Sequence, residues 1–284
     1  MSTRHQLRSL MAGPPFLAAE CYSALTARIV EEVGFPAAYM GGHGTSMMHY
    51  AIPDNGVFTP TEMVEQAGRV AEVISIPLII DADQCGETVA DVYRSVRRYE
   101  HAGIAGIHME DEIPPKHSRW NGPLLPIGDM QARIRAAVAA RRDRDFVIIV
   151  RCDELYDIGG GGSGSLGEAI RRGAAYQEAG ADAYLPTFAT EEQVAAIRDE
   201  VTLPIVGFGR LTAGLDFALS TGWGTASAAR QHRQWATHLL EHGDLPAEAF
   251  EFPGKAEAIQ QDPYDEVIEA WVTATGRTLR PPVA

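Results

Sequence analysis

One stretch constrains this chain more than any other: a short apolar run ending in acidic residues, a helix, then a second run of the same kind. Pro77 to Ile80 is apolar, rich in branched residues and too short for a helix, so it reads as a buried strand. It ends in Asp81-Ala82-Asp83. Residues 88–102 place Val89, Val92, Val96 and Tyr99 at helical spacing, and Gly103 stops that helix. Ile104 to Met109 is the next strand, and it ends in Glu110-Asp111-Glu112. Two parallel strands joined by a helix thus deliver carboxylates at their C-terminal ends, the edge that carries chemistry in an α/β barrel.

The same alternation runs along the chain. Strands are expected at Phe16 to Glu20, Ala37 to Met40, Phe146 to Val150, Ala183 to Pro186, Leu203 to Phe208 and, more weakly, residues 214–220. Helices are expected at 23–33, 59–73, 127–141, 166–179, 191–200 and 225–242. Thr59, Pro60 and Glu62 form a capped helix start. Residues 1–14 are a basic, amphipathic leading segment closed by Pro14-Pro15. Eight strand candidates alternating with helices predict the fold class α/β, a single (β/α)8 TIM-type barrel, and such a barrel needs about 250 residues. The barrel is expected over 1–242. Residues 243–284 are Pro-interrupted, with one helical piece near 264–275, and read as a C-terminal helical extension packing on the barrel or on a neighbouring subunit.

The formal net charge of −14 argues against nucleic acid or an anionic membrane as partner. It leaves room for a small anionic substrate, because a metal or a local basic group offsets the global field. No apolar run has membrane-span length, and the N-terminus has no signal-peptide core. Cys21, Cys85 and Cys152 make neither a disulfide framework nor a metal spacing, so a reducing cytoplasm is the simplest setting.

Clustered carboxylates repel one another unless a cation joins them, and hard oxygen ligands of this kind suit Mg2+. A single acidic turn would be as well explained by solvated loop charges; two on successive strands favour a cation. The run Gly41-Gly42-His43-Gly44-Thr45-Ser46 is a glycine-rich turn that lets backbone N–H groups approach an anion, or else a plain strand-to-helix turn. It lacks the Lys of a Walker loop. Asp54, in Ile52-Pro53-Asp54-Asn55-Gly56, sits in a turn by composition. Arg151 follows an apolar strand and is placed to clamp a carboxylate bidentately, or to pair with a neighbouring acid. His43, His49, His108 and His117 are scattered; His108 alternates with core residues and reads as structural. The run 158–165, IGGGGSGS, reads as a mobile segment of the rim. No nucleotide fingerprint, Ser-His-Asp pattern or thiolate–metal spacing appears.

Several of these motifs, in order, resemble the isocitrate lyase/phosphoenolpyruvate mutase superfamily: Tyr39 to Asp54, Asp81-Ala82-Asp83, His108-Met109-Glu110-Asp111 with Pro115-Lys116, Ile134-Arg135-Ala136-Ala137, Arg151 and Tyr176 to Asp182. The similarity covers roughly residues 16–240. It implies a (β/α)8 barrel, Mg2+ (with Mn2+ as an alternative ion), 2-oxo or 2-hydroxy acid chemistry through a metal-bound enolate, and a homotetramer that swaps C-terminal helices. By that resemblance Asp83 is the direct metal ligand, with Asp81, Glu110 and Asp54 acting directly or through water. Arg151 grips the substrate carboxylate together with the backbone at Gly42 and His43; Gly41 stands where many members have Ser. Tyr39 matches a tyrosine beside the substrate.

The departures bear on the reaction. Lyases of the superfamily carry a Lys-x-Cys-Gly-His lid whose Cys handles a proton. Here the lid reads Lys116-His117-Ser118-Arg119-Trp120-Asn121-Gly122, with Ser118 at the Cys position. Serine is a poor proton donor; His117, with an ordinary pKa near 6.5, is the substitute. Thr187 replaces the Glu of the tricarboxylate lyases, and Phe208 and Arg210 replace their Asn and Thr. Isocitrate and methylisocitrate are therefore disfavoured. Arg210 would hold a different anionic arm and Phe208 line an apolar pocket, unless they are a rim ion pair and core packing. The leading expectation is a Mg2+-dependent lyase that cleaves a C–C bond of an alkylmalate-type 2-hydroxydicarboxylate. The alternatives are a decarboxylase or hydrolase of oxaloacetate or phosphonopyruvate, a P–C bond phosphonomutase and, from another class, a non-catalytic binding protein.

Overall fold

The structure is a computed structural model, and it describes residues 1–120, 122–156, 161–259 and 261–276. Residues 158–160 of the glycine-rich run and Asn121 of the lid lie outside the described residues. Eight parallel strands make one sheet: β1 (Phe16–Glu20), β2 (Ala37–Met40), β3 (Leu78–Asp81), β4 (Gly106–Glu110), β5 (Val147–Cys152), β6 (Ala183–Pro186), β7 (Val206–Phe208) and β8 (Phe217–Leu219). Their order is β6-β5-β4-β3-β2-β1-β8-β7, and a parallel bridge between Tyr184 and Ile205 brings the two end strands together. The sheet thus closes into the expected (β/α)8 barrel.

The helices are α1 (Thr3–Met11), α2 (Ala24–Val33), α3 (Gly42–Tyr50), α4 (Pro60–Val73), α5 (Val89–His101), α6 (Ile127–Ala140), α7 (Leu166–Glu178), α8 (Glu191–Arg198), α9 (Trp223–His242), α10 (Lys255–Ala258) and α11 (Gln261–Thr275). Local sequence explains their starts. Thr59 accepts from the Glu62 N–H while the Glu62 side chain accepts from the Thr59 backbone, and Thr88/Asp91 and Thr190/Gln193 repeat this reciprocal cap. Gly34 takes the left-handed φ of 99° that closes α2.

The strands are buried on both faces, as their unbroken apolar runs demand. One face packs under the helices. The other fills the barrel interior with Phe16, Ala18, Ala37, Ile79, Val147, Ile149, Leu185, Val206, Phe217 and Leu219. Leu7 of α1 belongs to this interior set and is fully buried. The leading segment is therefore a plug, not a loose arm. Gly106 makes room for it: a Cβ there would stand 3.0 Å from Leu7 Cδ2 and 3.0 Å from Val147 Cβ.

The structure differs from the expected elements after β2. The run 41–46 is the start of α3, with Gly41 as its cap. Three glycines argue against a helix by propensity, but packing requires one of them: a Cβ on Gly44 would lie 3.0 Å from both Glu20 Oε1 and Thr225 Oγ1. Contacts divide the chain into two compact units, Met1–Arg230 and Gln231–Ala284, with the division inside α9. Within the second unit, α11 leaves Tyr264, Val267, Ile268 and Trp271 exposed at helical spacing. Among the described residues no helix is long and apolar enough to cross a membrane.

Truncating the plug, Leu7→Ala, should lower the stability of the barrel by about 2–5 kcal/mol, through lost burial and the cavity left behind. Urea unfolding followed by tyrosine and tryptophan fluorescence measures it; a loss under about 0.5 kcal/mol would show that α1 does not seal the barrel.

Candidate active site

Strand register assembles the site. Asp81 on β3 lies beside His108 on β4, and Glu110 on β4 lies beside Arg151 on β5. Side chains alternate at each strand end, so the triplet 110–112 splits. Glu110 faces the barrel mouth. Asp111 points the other way and accepts from Tyr176 Oη at 2.6 Å and Arg172 Nη1 at 3.0 Å.

Oxygens of Asp81, Asp83 and Glu110 lie within 4.8 Å of one another. The turn that presents Asp83 is tight: its φ is 45°, and its N–H donates to Asp81 Oδ1 at 2.9 Å. Lys116 enters from the lid. Its ammonium contacts the Asp83 carboxylate, donates to Glu110 Oε1 at 2.9 Å and lies 3.7 Å from Asp54 Oδ1. Asp54, a turn residue by composition, is thereby part of the cluster. Arg151 Nη1 lies 2.8 Å from Glu110 Oε2, while its Nε and Nη2 fork onto Asp153 at 2.8 and 2.7 Å. Arg151 is thus ion-paired with neighbouring acids, and it also lines the cavity.

A cavity of about 540 Å³ opens above this floor. Tyr39, Gly41, Gly42, His43, Asp54, Asp81, His117, Arg151 and Thr187 all line it, and the Gly42 N–H donates to Asp81 Oδ2 at 3.2 Å. His117 Nδ1 donates to the Asp54 carbonyl at 2.8 Å, which pins the lid across the cluster. Two predicted site residues lie apart. Ser118 Oγ donates to the Pro115 carbonyl at 2.9 Å within the lid turn. Arg210 lines a neighbouring groove, separated from the cavity by Phe188 and Phe208.

The structure also brings in residues the sequence left unassigned. His108, read as structural, is fully buried, with Nε2 2.9 Å from Tyr39 Oη and Nδ1 3.6 Å from Asp81 Oδ1. Its place beside Tyr39 required strand register, which a single strand pattern does not contain. Asp153, two residues after Arg151, was visible as a same-face partner by strand spacing alone.

Burial raises the Asp83 carboxyl to about 6 despite Lys116, and raises Glu110 to about 8 despite Arg151 and Lys116. Burial would also raise Asp81, but His108, Lys116 and Arg151 outweigh it and hold that carboxyl below the usual range. Burial opposes the Lys116 charge; Asp83, Glu110, Asp81 and Asp54 override it and keep the ammonium protonated. Burial lifts the Tyr39 phenol well above its usual value and lowers His108 to about 4. Three converging carboxylates that already need a cation are a donor set suited to a hard divalent ion, and the residues fit Mg2+. Protons on Asp83 and Glu110 compete with such an ion. Its affinity should therefore rise as pH goes from 6 to 8, with proton release on binding. Calorimetric titration of Mg2+ in buffers of different ionisation enthalpy measures both; a pH-independent affinity would contradict these protonation states.

Comparison with known proteins bears on the same residues. The family model described as phosphoenolpyruvate phosphomutase matches residues 7–225. A 2,3-dimethylmalate lyase of Eubacterium barkeri is 35% identical over 205 residues, 71% of this chain and 69% of that protein. An oxaloacetate decarboxylase of Rhodopseudomonas palustris is 35% identical over 205 residues, again 71% of this chain and 69% of that protein. The crystal structure of phosphonopyruvate hydrolase with oxalate and Mg++ superposes with a TM-score of 0.81 at 28% identity, covering 95% of this chain and 99% of that one. Barrel, carboxylate cluster and sequence agree, and the chain belongs to the phosphoenolpyruvate phosphomutase family of the isocitrate lyase/PEP mutase superfamily.

Proposed function

We propose that the protein is a Mg2+-dependent lyase that cleaves the C2–C3 bond of an alkylmalate-type 2-hydroxydicarboxylate. The observation that carries this reading is the convergence of Asp81, Asp83 and Glu110 beside Arg151 on the floor of a large cavity. The similarity to 2,3-dimethylmalate lyase supports it. Asp83, Asp81 and Glu110 would hold the ion, with Asp54 alongside. Mg2+ held there would supply Lewis acidity for the negative charge that develops on the substrate. Arg151 and the backbone at Gly41, Gly42 and His43 orient the C1 carboxylate. In the reaction the 2-hydroxyl loses its proton, the C2–C3 electron pair passes to C3 and its carboxylate, and C3 takes up a proton. The products are a 2-oxo acid and a carboxylic acid, with no change in overall oxidation state. Burial keeps the Tyr39 phenol protonated beside the substrate. His117, whose ring lines the cavity, is the proton-delivery candidate at C3, because Ser118 is turned into the lid backbone. Its Nδ1–H is held by the Asp54 carbonyl and burial disfavours the imidazolium, so its Nε2 would first take the 2-hydroxyl proton and then pass it to C3.

A second reading is favoured by the lid itself: with Ser118 at the Cys position, solvent would protonate the enolate released from oxaloacetate or phosphonopyruvate. The oxaloacetate decarboxylase and phosphonopyruvate hydrolase relatives accord with that branch, and the family description keeps phosphoryl migration as a third. Retention of every candidate ligand disfavours a non-catalytic role. The exposed stripe Tyr264, Val267, Ile268 and Trp271 on α11 supports a homotetramer in which C-terminal helices pack on neighbouring copies.

The test is a product assay with Mg2+ and separate 2-alkylmalates, oxaloacetate and phosphonopyruvate, followed by proton and phosphorus NMR. A 2-oxo acid with a matching carboxylate establishes the lyase; pyruvate from oxaloacetate or phosphonopyruvate alone moves the assignment to the second reading. Asp83→Ala should abolish turnover while leaving the circular-dichroism spectrum unchanged, and retained turnover would remove Asp83 from the metal site. His117→Gln should lower kcat by about 10²-fold or more if it delivers the proton; an unchanged kcat assigns that step to another group.

A further inference from the structure

The cavity has two unlike sides. Its floor is the carboxylate cluster with Arg151. Its wall is a continuous line of aromatic rings running from the reaction centre to the lid. Phe208 packs against Tyr39 and His108, with ring centroids 6.3 and 5.8 Å apart. Phe188 follows at 6.0 Å from Phe208, Tyr156 at 5.1 Å from Phe188, and the lid's His117 at 6.0 Å from Tyr156. The rings are tilted or edge-to-face, the geometry in which aromatic groups attract one another and leave faces for a further ring.

Phe188 is the informative member. It is 60% exposed at the cavity edge, and its backbone sits at φ 57°, in the left-handed region. A large aromatic side chain left in water on a strained backbone is doubly unfavourable for folding, and such residues cluster where a ligand is bound. Phe188 and Phe208 line both the cavity and the adjacent groove, so they are the partition that keeps the Arg210 charge out. Among the described residues, Arg151 is the sole Lys or Arg lining the cavity, and it is already paired with Glu110 and Asp153. A substrate arm ending in a further carboxylate would find no Lys or Arg on the wall beyond Arg151, whose guanidinium stacks over the Phe208 ring at 5.5 Å, whereas an uncharged ring or branched alkyl group would meet Tyr156, Phe188 and Phe208. A volume of about 540 Å³ also leaves room for such an arm beside the chelated carboxylates.

We propose that this site takes 2-hydroxydicarboxylates bearing a bulky apolar substituent, aryl or branched alkyl, and that Phe188 is the specificity-determining residue. This rests on the reading of the floor as a chelating site. For a 3-benzylmalate the O–H and C2–C3 bonds break, C2=O and C3–H form, and the products are glyoxylate and 3-phenylpropionate; no oxidant or reductant is needed.

The experiment is calorimetric binding to the full chain with Mg2+, using oxalate, malate, isocitrate, 2-benzylmalate and 3-benzylmalate as probes. Oxalate reads the floor alone. One of the benzylmalates should bind about tenfold or more tightly than malate, and isocitrate no better than malate. In Phe188→Ala the ratio of benzylmalate to oxalate affinity should fall at least fivefold, with Phe208→Leu as a second variant that keeps the site filled. Benzylmalates binding no better than malate, isocitrate binding best, or an unchanged ratio in both variants would overturn the apolar arm while oxalate binding leaves the floor standing. Failure of oxalate to bind with Mg2+ overturns the chelating floor and the proposal together.

Discussion

Like charges held a few ångströms apart in a buried strand edge cannot persist without cations, and the arrangement at the mouth of this barrel follows from that constraint. Asp54, the pair Asp81 and Asp83, and Glu110 converge from three places in the chain, and Lys116 and Arg151 are drawn in among them. The lid closes down because Lys116 is its anchor, with a side chain that has no solvent exposure. Removing either cation would leave uncompensated carboxylates, so the site's electrostatics and the path of the lid are one feature.

Behind the reacting edge a second set of polar contacts fixes the first. Asp111 accepts from Arg172, Tyr176 and the backbone N–H of Asp153 at 3.0 Å, and so holds the turn that carries Asp153. Asp153 in turn forks with Arg151, which faces Glu110. The acidic triplet 110–112 thus works in two directions, with one carboxylate toward substrate and the next toward the supporting helices. Rotating either would cost more than a single hydrogen bond, because each partner is itself buried.

The backbone follows the same demand for closeness. Glu20 at the end of β1 accepts from the Gly224 N–H at 2.6 Å and faces Thr225, tying the start of α9 to the first strand. Gly44 lets α3 pass above it without a side chain in the way. At the other end of the barrel, Leu7 and Gly106 meet in the complementary way, a large group filling the space a missing Cβ leaves.

Sequence by itself determined the alternation of strands and helices, hence the barrel, because buried parallel strands and amphipathic helices impose periods that survive without neighbours. It also singled out Asp81, Asp83, Glu110 and Arg151 as candidates, since each lies at the C-terminal end of an apolar strand or in the turn after it. Family motifs added Asp54 and Lys116, whose local patterns read only as a turn and a loop. What tertiary structure decided was everything that depends on which strands lie side by side. Register put His108 against Tyr39 and Asp81, turned Arg210 away behind two phenylalanines, and collected Phe188, Phe208, Tyr156 and His117 into one wall. These residues lie on different loops and strands, and no local pattern in the chain carries the distance between them.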